Sequence, residues 1–313
     1  MDTVNEIEKV ILEDKIVIPI RGKNKKIFYC LYLIIRILRK FRIPVVFKTR
    51  NIYLKDPLLD KGHMFTMMMG LDEAKYKPYA YFNNHCRSIY MIDAWPKDHD
   101  KIIEFIHKNK VDYLFVSSVQ AAERLAKRTT KTKIYWIPEG INYEEYRFYE
   151  PAEKNIEILA FGRKFDLYHD LIKNKLKEKN ITYLCEKEKG KIIFPSRNDF
   201  IEGLARTKIS ICVTSDITHP ERSGDIETMN IRYLQCIVSK CLIVGHAPAE
   251  MVKLFGYNPV IEIDMQRPVE QVLDILNNFN NYQSFIEKNF QEVISHHTWK
   301  HRWEQMRQIY EAN

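Results

Sequence analysis

The stretch HPERSGDIETMNIRYLQCIVSKCLIVGH, residues 219–246, decides how the chain can fold. It begins with a polar, glycine-containing loop and continues with apolar residues at helical spacing from about Glu227 to Val238. An apolar run of strand length follows. Loop, helix and buried strand in this order are typical of an α/β unit, in which parallel strands alternate with helices. We therefore expect such a unit around this stretch.

Short apolar runs rich in Val, Ile, Tyr and Phe recur along the whole chain. In the first half they are KIVIPI (15–20), PVVFKT (44–49), SIYMID (88–93), YLFVSS (113–118) and IYWIPEG (134–140). In the second half they are IEILAFG (156–162), ITYLCE (181–186), ISICVT (209–214), CLIVGH (241–246) and PVIEID (259–264). Helical spacing separates several of them, as in 100–110 and 119–128. This alternation predicts two parallel sheets, each covered by helices on both faces.

The polar, proline-bearing connection 149–155 separates the two series of strands and is the predicted linker. We expect a Rossmann-like domain over residues 1–150 and a second one over 151–294. If the two face each other, the carboxyl ends of their strands line one shared cleft, where ligands of doubly wound folds bind.

Bulk composition narrows the class of protein. The 313 residues include 49 Lys and Arg against 41 Asp and Glu, a formal charge of +8 that suits polyanionic partners. None of the six cysteines forms a C-x-x-C pair, which favours a reducing compartment. The acidic, helical N-terminus does not look like a signal peptide, and no run is long enough to span a membrane. We expect a cytoplasmic protein.

The 219–246 stretch resembles the nucleotide-sugar region of retaining GT-B glycosyltransferases, the "glycosyl transferases group 1" family of bacterial polysaccharide and glycan type. That family has an E-x7-E element before a small-residue turn and an apolar strand, and Glu227 and Gln235 stand at this spacing. The resemblance implies that Glu227 faces the donor sugar or its phosphates as a catalytic residue and that Gln235 lies near the ribose. Arg232 belongs to an R-x-x-Q run similar to the R-x-x-E of related transferases.

A second similarity lies in FGRKFDLYHDLI, residues 161–172, which looks like the family's G-R turn after the first strand of the donor domain. There the glycine permits a tight turn and the arginine reaches the donor pyrophosphate. Lys164 or Arg222 is expected to supply the second cation, because the family's usual lysine is absent. The predicted donor-binding set is Gly162, Arg163, Lys164, Arg222, Ser223, Gly224, Asp225, Thr228, Met229, Asn230, Arg232 and Gln235.

The stretch FNNHCRSIYMIDAWP, residues 82–96, ends a predicted buried strand, and the family often has an acceptor-facing His or Asp in this region. The resemblance implies Asp93 as a second catalytic residue, with His85 and Trp95 toward the acceptor. The competing interpretation makes Asp93 a helix cap and Trp95 a core residue. Residues 295–313 look like the family's last helix, which packs back on the N-terminal domain.

The fold predicted by this resemblance is GT-B, two Rossmann-like domains facing across a cleft. The implied activity is transfer of a sugar from a nucleotide-diphosphate donor to a glycan or lipid-linked acceptor, with retention and without a metal ion or other cofactor. Lys23 to Arg42 forms a cationic stretch around an apolar stripe. It suits either peripheral contact with anionic lipid at the inner face of the plasma membrane or a crossover helix packed on the sheet.

Three other classes remain as alternatives. A metal-dependent GT-A transferase would need a D-x-D motif, which Asp98-His99-Asp100 offers, but at the start of a predicted helix. A non-hydrolysing nucleotide-sugar epimerase shares the two-domain layout. A nucleic-acid-binding protein would explain the charge, yet the cations are dispersed and no binding motif is present, so we expect no nucleic-acid partner. No G-x-G-x-x-G, P-loop or G-x-S-x-G motif occurs.

Overall fold

The computed structural model of the chain describes residues 2–14, 64–72, 86–185 and 193–312. By its packing the chain forms two compact units. We call Glu8–Pro138 the first unit, and Met1–Ile7 together with Glu139–Asn313 the second unit. Two predicted strands, 15–20 and 44–49, the cationic stretch Lys23 to Arg42 and His85 lie outside the described residues.

The first unit contains a parallel sheet with the strand order β1-β2-β3-β4 over the described part of the chain. Its strands are β1 (Met64–Met69), β2 (Arg87–Ile92), β3 (Tyr113–Val116) and β4 (Lys133–Trp136). Its helices are α1 (Asp2–Glu13, whose residues through Ile7 pack with the second unit), α2 (His99–Lys108) and α3 (Val119–Ala126). The sequence analysis predicted β2 to β4. It missed β1, because MFTMMM has neither β-branched enrichment nor alternation of polar residues.

The second unit contains a five-stranded parallel sheet with the order β6-β5-β7-β8-β9. All five strands were predicted: β5 (Ile156–Ala160), β6 (Tyr183–Cys185), β7 (Thr207–Cys212), β8 (Leu242–Gly245) and β9 (Ile261–Glu262). The longer helices are α4 (Asp166–Glu178), α5 (Arg197–Ala205), α8 (Ile231–Val238), α9 (Ala249–Phe255), α10 (Pro268–Asn277), α11 (Gln283–His296) and α12 (Trp299–Glu311). Two single turns, α6 (Ser215–Thr218) and α7 (Pro220–Ser223), lie between β7 and α8.

Apolar residues cover both faces of this sheet, as expected for a doubly wound layer. On strand β8, Ile243 belongs to one buried cluster, which includes Tyr233 of α8. Its neighbours Leu242 and Val244 belong to the other cluster, which includes Ile172 of α4. Because both faces of the sheet are buried, the polar loops lie at the ends of the strands. The prediction of two Rossmann-like α/β layers is confirmed.

The two units differ in extent from the domains expected at residues 1–150 and 151–294. Residues 139–150 pack with the second unit, because their side chains and backbone are bonded there. Ile141 forms a bridge with Thr298, and the hydroxyl of Tyr149 donates to Glu202 at 3.1 Å. That α12 packs back on the first domain stays a prediction.

Helix α8 begins at Ile231, four residues later than the start predicted near Glu227. Asn230 is the N-cap, with extended backbone angles, and its side chain accepts a hydrogen bond from the amide of Arg232. Before it, Thr228 and Met229 are held by Glu250, whose carboxylate accepts from the Thr228 hydroxyl at 3.0 Å and the Met229 amide at 2.6 Å. These contacts keep the segment out of the helix.

Candidate functional site

The strand order of the second unit has a topological switch point between β5 and β7. From β5 the chain proceeds to β6 on one side, and from β7 it proceeds to β8 on the other. In open α/β sheets the ligand crevice lies at this point, outside the carboxyl ends of the two strands. The segments that follow β5 and β7 are Phe161 to Phe165 and Val213 to His219, so this edge carries the candidate site.

Arg232 joins the carboxyl ends of these two strands. Its Nη1 donates to the carbonyl oxygens of Phe161 at 3.2 Å and Arg163 at 3.3 Å, just after β5. Its Nη2 donates to the carbonyl oxygen of Val213 at 3.1 Å, just after β7. One guanidinium thus fixes both sides of the switch point. The sequence predicted Arg232 as a ligand of the donor, whereas these bonds hold the protein's own backbone.

The side chain of Asn230 holds the guanidinium of Arg232 in place. Its Oδ1 accepts from the backbone amide of Arg232 at 3.1 Å and from Nε of the same residue at 3.2 Å. Its Nδ2 is buried and has no hydrogen-bond partner in the part of the chain that the structure describes. A donor left without an acceptor is costly unless a water or a ligand takes it.

Gly162 and Arg163 form a tight turn between β5 and α4. Gly162 has a φ of +71°, and a Cβ placed there would lie 3.2 Å from Cδ of Arg232. The turn therefore depends on glycine both for its backbone angle and for the close approach of Arg232. Arg163 is half-buried on this turn. Lys164 makes an ion pair with Asp166 at 2.6 Å, and this contact raises the pKa of Lys164.

Glu227 lies beside the carboxyl ends of β8 and β9 and accepts from the amide of Ala249 at 3.1 Å, at the start of α9. His246 follows β8, with Nε2 at 4.0 Å from Glu227 and Nδ1 at 3.2 Å from Glu262. The Glu227 side chain is 34% exposed, so it is accessible. The structure brings Glu227 to the same edge of the sheet as Arg163.

The loop between α6 and α8 carries the other predicted donor residues. Gly224 has a φ of +59° and ends α7, where the hydroxyl of Ser223 donates to the His219 carbonyl at 3.0 Å. Arg222 is half-buried and Asp225 is exposed. Thr228 and Met229 are buried against Glu250. In the sequence, the whole loop lies between β7 and α8.

Gln235 is not placed at this accessible edge. Its side chain is 2% exposed, and Nε2 donates to the hydroxyl of Tyr146 at 2.9 Å. That hydroxyl donates to Oε1 of Glu6 at 2.7 Å, and Arg197 also donates to this oxygen, at 2.9 Å. Burial raises the pKa of Glu6, although the hydrogen bonds from its neighbours oppose the shift. Gln235 here belongs to a buried network that holds residues 2–7 and 139–146.

Two of the predicted acceptor-side residues lie in the first unit. Asp93 follows β2 with a φ of +58°, and its carbonyl oxygen accepts from the amide of Trp95 at 3.0 Å. Trp95 is 4% exposed and precedes a 3-10 turn at Pro96–Asp98. Its burial agrees with the competing interpretation of Trp95 as a core residue. Asp93 and Trp95 are close in sequence, and His85 lies outside the described residues.

Several residues of this edge were missed by the sequence analysis. The hydroxyls of Thr214 and Ser215, directly after Val213, are fully buried and have no hydrogen-bond partner among the described residues. Glu250 organises the loop before α8 through bonds to Met229 and Thr228, which lie 21 and 22 residues away in the sequence. An apolar strand that ends in a Thr-Ser pair is a weak signal, and nothing in the sequence connects Glu250 to Met229.

Within the described ranges, no group of three or more His, Cys, Asp and Glu side chains is arranged to hold a metal ion. Within the same ranges, no helix has the combined length and apolar character needed to cross a membrane.

No family model and no curated protein matches the sequence. Solved structures do match. A variant of S. aureus TarM, in complex with fondaparinux, alpha-GlcNAc-glycerol and UDP, has a TM-score of 0.53 at 12% identity, over 79% of this chain and 55% of that one. The chain therefore spans about half the length of TarM. A glycosyltransferase from Rickettsia africae has a TM-score of 0.50 at 13% identity, over 99% and 87%.

Sucrose-phosphate synthase from Thermosynechococcus elongatus has a TM-score of 0.52 at 12% identity, over 95% of this chain and 80% of that one. The chain has the GT-B fold. At these identities the likeness concerns the fold alone, since one fold carries many functions and the site must be argued from its own residues. Within this fold, the second unit contains the switch point and the residues around it.

Proposed function

We propose that the chain is a glycosyltransferase that moves a sugar from a nucleoside-diphosphate sugar to a glycan or lipid-linked acceptor, and that its second unit binds the donor. The supporting observation is the guanidinium of Arg232, which ties Phe161 and Arg163 to Val213 at the switch point of a parallel sheet. This bond set holds a cationic turn where a doubly wound fold binds its ligand.

The chemistry of the proposed site is electrostatic. Arg163, with Lys164 or Arg222, would bind the diphosphate, and Arg232 would hold the turn that carries Arg163. Negative charge develops on the diphosphate as the bond to the sugar breaks. Fixed cations and backbone amides at this position stabilise that charge, without the need to reorganise during the reaction. We therefore propose that transfer proceeds without a bound metal ion, which full turnover in excess EDTA would support and loss of turnover would contradict.

Glu227 is the proposed partner of the donor sugar, because it is accessible and lies beside His246 at the same edge of the sheet. Asp93 is the proposed acceptor-side carboxylate. Retention of configuration rests on the resemblance in the 219–246 stretch, and the lipid-linked acceptor is suggested by the cationic stretch Lys23 to Arg42. UDP is the first nucleotide to test, because the TarM structure contains it.

Arg163→Ala and Glu227→Ala should each lower turnover by roughly tenfold to a thousandfold, as expected for removing one group that stabilises charge in the transition state. The measurement is steady-state transfer and hydrolysis of the donor. That donor is chosen as the nucleotide sugar that raises the melting temperature in a screen of UDP, GDP, CMP and ADP sugars.

Arg267→Ala and Glu178→Ala are matched controls on exposed positions of the same unit. Unchanged turnover in both site variants would refute the site. A wild-type protein whose melting temperature responds to no nucleotide sugar would refute the proposed function itself.

A further inference from the structure

We infer that the side-chain amide of Asn230 is a hydrogen-bond donor to an anionic oxygen of the donor's diphosphate. The inference rests on the proposed function and names a phosphate contact within it. Asn230 was predicted from the sequence as one member of the donor-binding set, without an assigned contact to any part of the donor. The structure gives it a separate role, because its two side-chain atoms meet different surroundings.

The orientation of the Asn230 carboxamide is fixed by its partners. Both groups that face one end of the amide, the backbone N–H and Nε of Arg232, are hydrogen-bond donors. An arginine guanidinium has no acceptor, so the atom that faces them has to be the oxygen. The other atom is therefore the –NH2 group, and its identity does not depend on an arbitrary choice between the two orientations.

The –NH2 group of Asn230 is buried and meets no acceptor among the residues the structure describes. Its surroundings are positive. Arg232 lies against the same side chain, and Asn230 caps α8, an eight-residue helix whose N-terminus carries partial positive charge. An acceptor with negative charge is favoured there, and a cation is not.

The position of this amide is that of the ligand crevice. The guanidinium that binds Oδ1 of Asn230 also binds the carbonyl oxygens of Phe161 and Val213, at the two strand ends of the switch point. Thr214 and Ser215, which follow Val213, provide a second, independent observation. Both are fully buried, and both hydroxyls lack a partner within the described ranges. Three side chains with unsatisfied hydrogen-bonding atoms therefore occur at this edge, which points to a polar ligand.

Asn230→Asp separates this role from the capping role. Aspartate caps a helix as well as asparagine does, and its Oδ1 can still accept from Arg232. The only change is that the –NH2 donor becomes an oxygen with negative charge. Asn230→Ser keeps a capping acceptor and removes the donor without adding charge. Asn281→Asp, at an exposed position of the same unit, adds the same charge elsewhere and is the matched control.

The experiment measures Kd by calorimetry for UDP, GDP, ADP and CDP, and for the nucleoside that corresponds to the tightest binder. We expect Asn230→Asp to weaken binding of the nucleoside diphosphate by about 100-fold, because a charge-assisted hydrogen bond is lost and repulsion is added. Asn230→Ser should weaken it by about 10-fold, because the hydrogen bond is lost without added repulsion. The affinity for the nucleoside should change by less than about threefold, because the nucleoside has no phosphate group for Asn230 to bind. Asn281→Asp should match the wild type.

The possible outcomes distinguish a failure of the proposed function from a failure of the inference about Asn230. If the wild type binds none of the four nucleoside diphosphates, both the proposed function and this inference are overturned. If the wild type binds one of them and Asn230→Asp binds it equally well, the function stands and the role of Asn230 is wrong. Equal weakening of nucleoside and nucleoside diphosphate would show that Asn230 only supports the fold, which also overturns the inference.

Discussion

Two cations of the second unit each bind three backbone carbonyls, at opposite edges of the same sheet. Lys154 lies before β5, and its Nζ donates to the carbonyl oxygens of Ala205, Thr207 and Ser239 at 2.9, 2.9 and 3.0 Å. Ala205 precedes β7, Thr207 is the first residue of β7 and Ser239 precedes β8, so Lys154 ties the amino edge together. Arg232 does the same for the carboxyl edge.

The difference lies in what surrounds each cation. Lys154 is 4% exposed, and its three donors are all used within the protein, so its role is to stabilise the fold. Arg232 is only half-buried, and the carboxamide that supports it has an amide donor without a partner among the described residues. The same type of bond therefore serves stability at one edge, and at the other edge it holds the turn that we propose binds the donor.

The largest effect is expected for Lys154→Met, because three buried carbonyl oxygens would lose their donor. We expect the free energy of unfolding to fall by about 3 kcal/mol, given the cost of leaving buried polar groups unsatisfied. Urea unfolding measures it. Nucleotide affinity of the folded protein should not change. Lys173→Met, on the exposed side of α4, is the control. A variant with normal stability and weakened nucleotide binding would reverse the comparison.

Arg232→Lys is expected to have the next largest effect, of the opposite kind. Lysine keeps the charge, but its single ammonium nitrogen cannot replace the two separate nitrogens, Nη1 and Nη2, with which Arg232 binds the carbonyls of Phe161 and Val213. Nucleotide affinity should fall on the order of tenfold to thirtyfold, while the free energy of unfolding should change by about 1 kcal/mol or less. Calorimetry and urea unfolding on the same protein give both numbers. A loss of stability with unchanged affinity would make Arg232 equivalent to Lys154.

Gly162→Ala is expected to have a smaller effect on stability than Lys154→Met, and it has a matched control in Gly256→Ala. The two glycines have φ of +71° and +73°, but only Gly162 would bring its Cβ close to Arg232, since Gly256 has nothing within 4 Å. Both variants should lose about 1 kcal/mol from the strained backbone angle. Gly162→Ala alone should also weaken nucleotide binding. Equal affinity in the two variants would mean that the turn does not depend on contact with Arg232.

The sequence was sufficient for the strands of the second unit, because they are short apolar runs bounded by polar turns. It failed at β1, where three consecutive methionines carry no strand pattern. It also placed the start of α8 too early. Glu227, Thr228 and Met229 are compatible with a helix locally, and only the contacts with Glu250 and Ala249 explain why they lie outside it.

The site residues also divide into those whose position the sequence predicted and those whose contacts only the structure shows. The sequence selected Gly162, Arg163 and Glu227 from their motifs and positions, and the structure places all three after strands or beside strand ends. It also assigned Arg232 and Gln235 to the donor, from the spacing of a helical motif. In the structure, Arg232 binds backbone carbonyls and Gln235 binds Tyr146 within a buried network.

By itself, the sequence determined the alternation of strand and helix, the two Rossmann-like layers and the residue types available at the ends of the strands. These follow from local patterns, because burial of a strand or helix face requires apolar residues at a fixed period. The tertiary structure alone decided which polar side chains are bonded inside the protein and which have no partner among the described residues. Hydrogen bonds between residues far apart in the sequence, such as that from Arg232 to Phe161 across 71 positions, depend on the path of the chain and leave no trace in the local sequence.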